Sequence, residues 1–190
     1  MNKIIVLSLF LTFGFISCKT SEKEIDKLEI AKKYYKFLDS SDGSGMFALL
    51  GESIVVRENE DDYEENFSKE GYLEWLEWDS VFDPTYKILE IEQENETIKA
   101  KISKIDKRIF FLHDEPMVWN EIIRFDNNKI VRVDRIRYED FNVAIFIKNR
   151  DELLSWIDEN HPELNGFLNA QTKSVGMKYL EAIELHQSKK

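Results

Sequence analysis

The sequence has little cysteine, glycine, proline or histidine: one, seven, three and three residues among 190. One cysteine cannot form an internal disulfide, which excludes the disulfide-stapled class of exported proteins. The sequence has no phosphate-binding loop, no dinucleotide glycine fingerprint and no Gly-x-Ser-x-Gly elbow. His113, His161 and His186 are too scattered to form a spaced metal motif. We therefore expect no cofactor and no metal.

Basic residues are scarce beside acidic ones, 26 against 37, and the net charge is -11. A surface this acidic repels phosphate backbones, so we expect no nucleic-acid partner. The chain is 43% hydrophobic and 13% aromatic, which is enough for a packed core.

Residues 1–17 have the order of an export signal. Met1-Asn2-Lys3 is positive, and Ile4 to Phe13 is apolar apart from two hydroxyl residues. This stretch is well short of the ~20 residues that a membrane-spanning helix needs. The alternative, a buried N-terminal helix of a cytosolic protein, would alternate polar and apolar faces.

The end of this segment, Gly14-Phe15-Ile16-Ser17-Cys18, resembles the lipobox of bacterial lipoproteins, in the looser form familiar in Bacteroidota. The resemblance implies cleavage before Cys18, attachment of a fatty chain such as palmitate to its thiol, and a tether over residues 18–23. We therefore expect a lipoprotein that contacts the membrane through the lipid at Cys18. Its expected place is the cell envelope, at the outer membrane, on the periplasmic or surface face.

From Glu24 the pattern is helical, with Leu28, Ala31, Tyr35 and Leu38 on one face. A strand is predicted at residues 53–57, and the acidic run at residues 58–65 is interpreted as a solvated loop. Ser68 opens a short helix. Two hairpins follow, over residues 86–105 and 117–138, with turns at Glu94-Asn95 and Asp126-Asn127-Asn128.

This order of elements predicts an α+β domain over residues 24–140. It resembles the NTF2-like (SnoaL-like) superfamily at residues 31–38, at residues 68–75, and at the last strand pair, residues 121–125 and 129–133. The resemblance implies a cone in which a long N-terminal helix packs on a curved antiparallel sheet. It also implies an enclosed pocket, where related isomerases and dehydratases place an aspartate or histidine as general base.

The pattern of residues 141–190 predicts a C-terminal helical extension. One helix is expected to begin at Asn149 and end at His161, and Pro162 suits the first turn of another. The extension either caps the mouth of the cone or extends its sheet face.

The last strand supplies the candidate site residues. Strict alternation places Arg132, Asp134 and Tyr138 on one face, beside Asn120 and Arg124 of the neighbouring strand. If this face points inward, these five residues are pocket candidates and Asp134 is the candidate catalytic base. The alternative is a structural ion pair between Asp134 and Arg124 or Arg132. His113 is interpreted as a solvated loop histidine.

We therefore expect a non-catalytic envelope lipoprotein that binds a small hydrophobic molecule or an envelope protein as a binding or assembly module. The alternative is a pocket enzyme of the isomerase, dehydratase or hydrolase kind, with an acid or base inside the cone.

Overall fold

A computed structural model describes residues 26–60 and 62–189. The predicted signal, the tether and Cys18 lie outside these residues. The helices and strands are α1 Lys27–Ser40, α2 Gly43–Leu49, β1 Leu50–Glu58, β2 Tyr63–Ser68, α3 Lys69–Ser80, β3 Thr85–Glu94, β4 Thr97–Ile105, α4 Lys107–His113, β5 Met117–Asp126, β6 Lys129–Asp140, α5 Val143–Asn160 and α6 Lys173–Ser188.

The six strands form one curved, unclosed sheet in the order β2-β1-β6-β5-β4-β3. All neighbours are antiparallel except β1 and β6, which run parallel. Both predicted hairpins are confirmed. Asn95, Asn127 and Asn128 have positive φ in the two turns, the geometry that asparagine tolerates better than most residues.

The first helix packs on the sheet, as expected from its apolar face. Ala31, Tyr34, Tyr35 and Leu38 are buried there. They form one core with apolar residues that point inward from the strands and α3, among them Leu50, Ile54, Leu76, Ile98, Ile102, Ile123 and Val133. The core closes one side of the sheet.

The C-terminal helices form a second core against α3 and α4. Its buried members are Trp78, Phe82, Leu112, Leu153, Ile157, Leu164, Phe167, Tyr179, Ala182 and Ile183. The predicted bounds need correction. Helix α5 begins at Val143 rather than Asn149, because Asn142 caps it by accepting a hydrogen bond from Ile145 N. Pro162 opens only a short 3-10 turn, and α6 begins after the Thr172 cap.

The acidic run is the largest error of the sequence interpretation. Residues 63–65 belong to β2, which pairs with β1 over Ser53 to Glu58. Alternation along a strand separates neighbouring carboxylates onto opposite faces. Glu64 forms an ion pair with Arg132 on one face, and Glu65 accepts a hydrogen bond from Tyr63 on the other. A loop is therefore not needed to relieve their repulsion.

None of the helices in the described part of the chain combines the length and apolar character needed to cross a membrane.

Candidate functional site

A cavity of about 520 Å³ lies between the sheet and helices α1, α3, α4 and α5. We call it the cone cavity. Strands β1, β2, β4, β5 and β6 each contribute side chains to its wall. The aromatic residues of the lining are Tyr34, Tyr63, Phe67, Tyr72, Trp75, Trp78, Trp119, Tyr138, Phe141 and Phe146.

The C-terminal extension forms part of this wall. Val143, Phe146, Ile147 and Arg150 of α5 line the cavity, and Gln171 joins them from the segment before α6. The extension therefore encloses the cavity and does not extend the sheet. Of the two arrangements that the sequence left open, the structure has the one in which the extension covers the cone.

Arg135 is the cation on the β6 side of the cavity, and its side chain is 23% exposed. Its Nη1 donates to Glu58, whose other oxygen accepts from the Tyr138 hydroxyl at 3.2 Å. The guanidinium lies 5.2 Å from the ring centroid of Trp119. Burial acts to lower the pKa of Arg135, but Tyr138, Glu58 and Glu121 outweigh burial and raise it. Arg135 therefore stays protonated.

Glu121 is buried beside Trp119. Its two oxygens accept from the Tyr35 hydroxyl at 2.6 Å and from Trp119 Nε1 at 2.5 Å. Burial raises the pKa of Tyr35, and the nearby Glu121 raises it further, so the phenol stays neutral and donates.

Asp79 and Lys104 form a buried ion pair in the cavity wall. Asp79 also accepts from the Tyr86 hydroxyl at 2.9 Å. Lys104 reaches Asp106 at 3.3 Å, and Asp106 caps α4 through Ile109 N. Burial acts to raise the pKa of Asp106, but Arg108, Lys104 and the Ile109 amide outweigh it, so the pKa is lowered and the carboxylate stays charged.

The predicted pocket residues divide between the two faces of the sheet. Tyr138 lines the cone cavity. Asn120, Arg124, Arg132 and Asp134 lie outside its lining, on the opposite face. Asp134 accepts from Arg124 at 2.9 Å and from Arg132 at 2.6 Å, which is the structural ion pair given above as the alternative. Asn120 donates to Glu139.

Two β-bulges account for this division. Opposite β5, the pairing on β6 skips Val131 and Ile136: Phe125 pairs with Ile130, Arg124 with Arg132, and Glu121 with Arg135. Each extra residue switches the face on which the following side chains lie. Ile130 and Tyr138 thus point inward, as strict alternation predicts, while Arg132 and Asp134 between them point outward.

His113 is not a solvated loop residue. It ends α4 and is buried, at 7% exposure. The ring nitrogens contact Glu115 O at 2.9 Å and Asn142 N at 2.7 Å. Residues 26–60 and 62–189 contain no group of three or more potential ligands that could hold a metal ion.

The sequence interpretation missed the charged residues that do line the cavity, although the sequence signals one of them. Lys104 continues the buried series Ile98, Ala100 and Ile102 of β4 in period two. A charged residue in phase with a buried apolar face indicates an internal polar group.

Comparison with known proteins gives the fold. No family model matches the sequence, and no curated protein matches it. Among solved structures, a proposed ketosteroid isomerase from Kribbella flavida DSM 17836 superposes with a TM-score of 0.50 at 14% identity, covering 61% of this chain and 79% of that one. IdmH from Streptomyces antibioticus, a proposed polyketide cyclase, gives 0.50 at 13% identity, with 66% and 99% covered.

An NTF-2 like protein of unknown function from Burkholderia xenovorans LB400 gives 0.49 at 12% identity, with 70% and 92% covered. The predicted α+β, NTF2-like fold is confirmed. At these identities the likeness concerns the fold alone.

Proposed function

We propose that this chain is a non-catalytic, lipid-anchored domain of the cell envelope that binds a small, largely apolar and aromatic molecule in the cone cavity. One observation carries the binding proposal: ten of the 24 residues that line about 520 Å³ of space are aromatic. Cavities of roughly 300–1,000 Å³ are typical of small-molecule sites. Aromatic walls favour a flat apolar ligand through burial and offset stacking.

The polar groups of the wall support binding over acid-base catalysis. A carboxylate that acts as general base must lie within reach of the substrate and be free to accept its proton. Glu58 is held by Arg135 and Tyr138, and Asp79 by Lys104 and Tyr86. These contacts occupy the carboxylate oxygens that a substrate would have to reach.

The envelope part of the proposal is supported by the sequence alone. A positive start, a short apolar stretch and Ser17-Cys18 precede the folded residues. A chain anchored at Cys18 would present the cavity at a membrane surface.

The proposal is tested by measuring the Tm of the full chain, in a non-ionic detergent, with and without each member of a panel of aromatic compounds. We expect some compounds to raise Tm in the wild type, and to raise it less in Phe146→Ala, which removes part of the cavity wall. Phe110→Ala is the matched control, because Phe110 is 55% exposed and outside the lining. A panel with no effect on wild-type Tm would contradict binding.

The alternative, a pocket enzyme, would use Glu58 or Asp79 as its acid or base. Chemical conversion of a compound that raises Tm, lost in Glu58→Gln or Asp79→Asn at unchanged compound affinity, would replace the binding proposal with this one.

A further inference from the structure

Two arginines line the cone cavity beside the C-terminal helices, Arg108 from α4 and Arg150 from α5. The two helices are in contact next to Arg150, because Asn149 Nδ2 donates to Leu112 O at 2.9 Å. Burial raises the pKa of Tyr179 to about 12, while the two guanidinium groups oppose that rise. Two neighbouring helices therefore each bring a cation to this part of the wall.

Arg108 is poorly satisfied by the protein. Its Nη2 contacts Asp106 at 3.4 Å, a long hydrogen bond. Asp106 is already shared with Lys104 and the Ile109 amide. Three buried donors have no acceptor among residues 26–60 and 62–189: Arg135 Nε on the β6 side of the cavity and, at this end, Arg108 Nε and the indole Nε1 of Trp78. Buried donors without acceptors are costly and are uncommon unless a ligand or water completes them.

The two unsatisfied side chains at this end are neighbours. The Arg108 guanidinium lies 5.2 Å from the ring centroid of Trp78 and 5.6 Å from that of Phe82. The rings hold the guanidinium plane by cation-π contact while leaving its edge open.

Arg150 keeps a free edge as well. Its Nε and Nη2 donate to Asp151 at 3.1 and 2.9 Å, in a partly exposed pair. Its Nη1 has no acceptor among the described residues. A solvent-exposed ion pair of this kind is weak and is screened by salt, so Arg150 can exchange it for a ligand inside the cavity.

The charges along the cavity are unequal. At this end, Lys104, Arg108 and Arg150 lie beside Asp79 and Asp106, and the remaining carboxylate, Asp151, pairs with Arg150 outside the cavity lining. At the other end, Arg135 has the carboxylates of Glu58 and buried Glu121 near it, and Glu65 also lines the cavity. In a chain of net charge -11, the Arg108 end is a local exception.

We propose that the ligand is an aromatic carboxylic acid whose carboxylate binds Arg108 and Arg150, with its rings against the aromatic wall. This inference rests on the proposed function and adds the chemical class of the ligand. The planar pair of oxygens of a carboxylate fits the guanidinium fork and can replace the partly exposed contact of Arg150 with Asp151.

A matched pair of probes separates the contribution of the carboxylate to affinity from that of the aromatic rings. 1-Naphthylacetate and 1-naphthylacetamide have the same rings, and only the first carries a charge. Each is titrated calorimetrically into the full chain in a non-ionic detergent, with the heat from detergent alone subtracted. We expect the acid to bind at least ten-fold more tightly than the amide, and the preference to weaken at high salt.

Arg150→Gln should bring the two affinities within about two-fold of each other, with little change in folding because the side chain is partly exposed. Arg108→Lys keeps the charge but not the fork, and should retain part of the preference. Arg124→Gln is the control, because Arg124 lies on the opposite face of the sheet. This variant should prefer the acid over the amide as strongly as the wild type does.

Equal binding of acid and amide to the wild type would overturn this inference and leave the proposed function standing. A preference for the acid that survives Arg150→Gln would also overturn it. If neither probe binds and the compound panel has no effect on Tm, the proposed function itself fails.

Discussion

The backbone amide of Asn142 donates a hydrogen bond to Nε2 of His113 at 2.7 Å. On the other side of the ring, Nδ1 contacts Glu115 O at 2.9 Å. An amide only donates and a carbonyl only accepts, so His113 is neutral with its hydrogen on Nδ1. The ring thereby links the end of α4 to the cap of α5, the helix that supplies Val143, Phe146 and Ile147 to the cavity.

His113→Phe should lower the free energy of unfolding by ~1–3 kcal/mol, because the ring remains against Phe141 while the acceptor for Asn142 N is lost. Urea denaturation measures this change. His161→Phe, at a partly exposed residue that contacts Glu163, should change the free energy by less than ~0.5 kcal/mol. Equal effects of the two substitutions would contradict the bridging role.

Asp134→Asn should destabilise the fold by ~1–2 kcal/mol and leave ligand affinity unchanged. The carboxylate is buried beneath two arginines, and its charge loss leaves Arg124 without its counterion and Arg132 with Glu64 alone. Urea denaturation and calorimetric titration measure the two quantities. Glu64→Gln, which alters an exposed partner of Arg132, is the control. A loss of ligand affinity in Asp134→Asn without a change in the free energy of unfolding would show instead that Asp134 contributes to binding.

Gly176→Ala should destabilise the contact between α3 and α6 by ~1–3 kcal/mol. A Cβ at Gly176 would lie 3.0 Å from Trp78 Cδ1 and 3.2 Å from Trp78 O. Gly43→Ala is the matched helical control: nothing lies within 4 Å of its added Cβ, so stability should stay the same or rise by up to ~1 kcal/mol. Thermal unfolding of the two variants compares them directly, and similar Tm changes would refute the close approach.

Ionisation of tyrosine should be delayed until the protein unfolds in alkali. The pKa is raised in all seven tyrosines: Tyr34, Tyr35, Tyr63, Tyr72, Tyr86, Tyr138 and Tyr179. Burial is the main cause except in Tyr63, where the hydrogen bond to Glu65 raises the pKa to about 12. Since the folded pKa exceeds the unfolded value of ~10, the stabilisation is complete below pH ~10 and is lost as the pH rises through the folded values.

Ultraviolet absorbance of tyrosinate follows this titration. The urea-unfolded chain should titrate near pH ~10, and the folded chain well above it, together with loss of structure by circular dichroism. A titration near pH ~10 with the fold intact would show that the hydroxyls are accessible to solvent.

Cys18→Ser should release the protein from the membrane fraction of its native host, because the thiol that carries the lipid is gone. Ser17→Ala keeps a small residue before the cysteine and should remain in the membrane fraction. Sedimentation of membranes and the mass of the N-terminal peptide measure both. An unmodified Cys18 in the wild type would contradict the anchor.

Local chemistry was enough to predict the hairpins and the first helix. Asn95, Asn127 and Asn128 lie where the chain reverses, and the apolar face of Ala31, Tyr35 and Leu38 packs on the sheet as its spacing indicates. Turn residues and helix periodicity are set by residues close together in sequence, so both can be recognised without the structure. The α4 helix was missed because its seven residues hold too few turns to show a period.

The inward face of β6 could not be predicted in the same way. Period-two reasoning assumes that no residue is extra, and Val131 and Ile136 are both skipped by the pairing with β5. The bulges have no local signature in the sequence, and tertiary contact selects them. The site was therefore placed on Asp134 when the neighbouring Arg135 faces the cavity.

The dependence of the cavity on α5 gives its formation an order in time. Chains emerge from the ribosome N-terminus first, so the sheet and α3 are complete before the residues that cover Trp78, Phe82 and Leu112 have been made. Until α5 and α6 dock, these side chains are exposed to solvent and to other chains. Binding competence is thus the last property that a newly made molecule acquires, and a chain that ends near residue 140 has a sheet whose apolar end is left open.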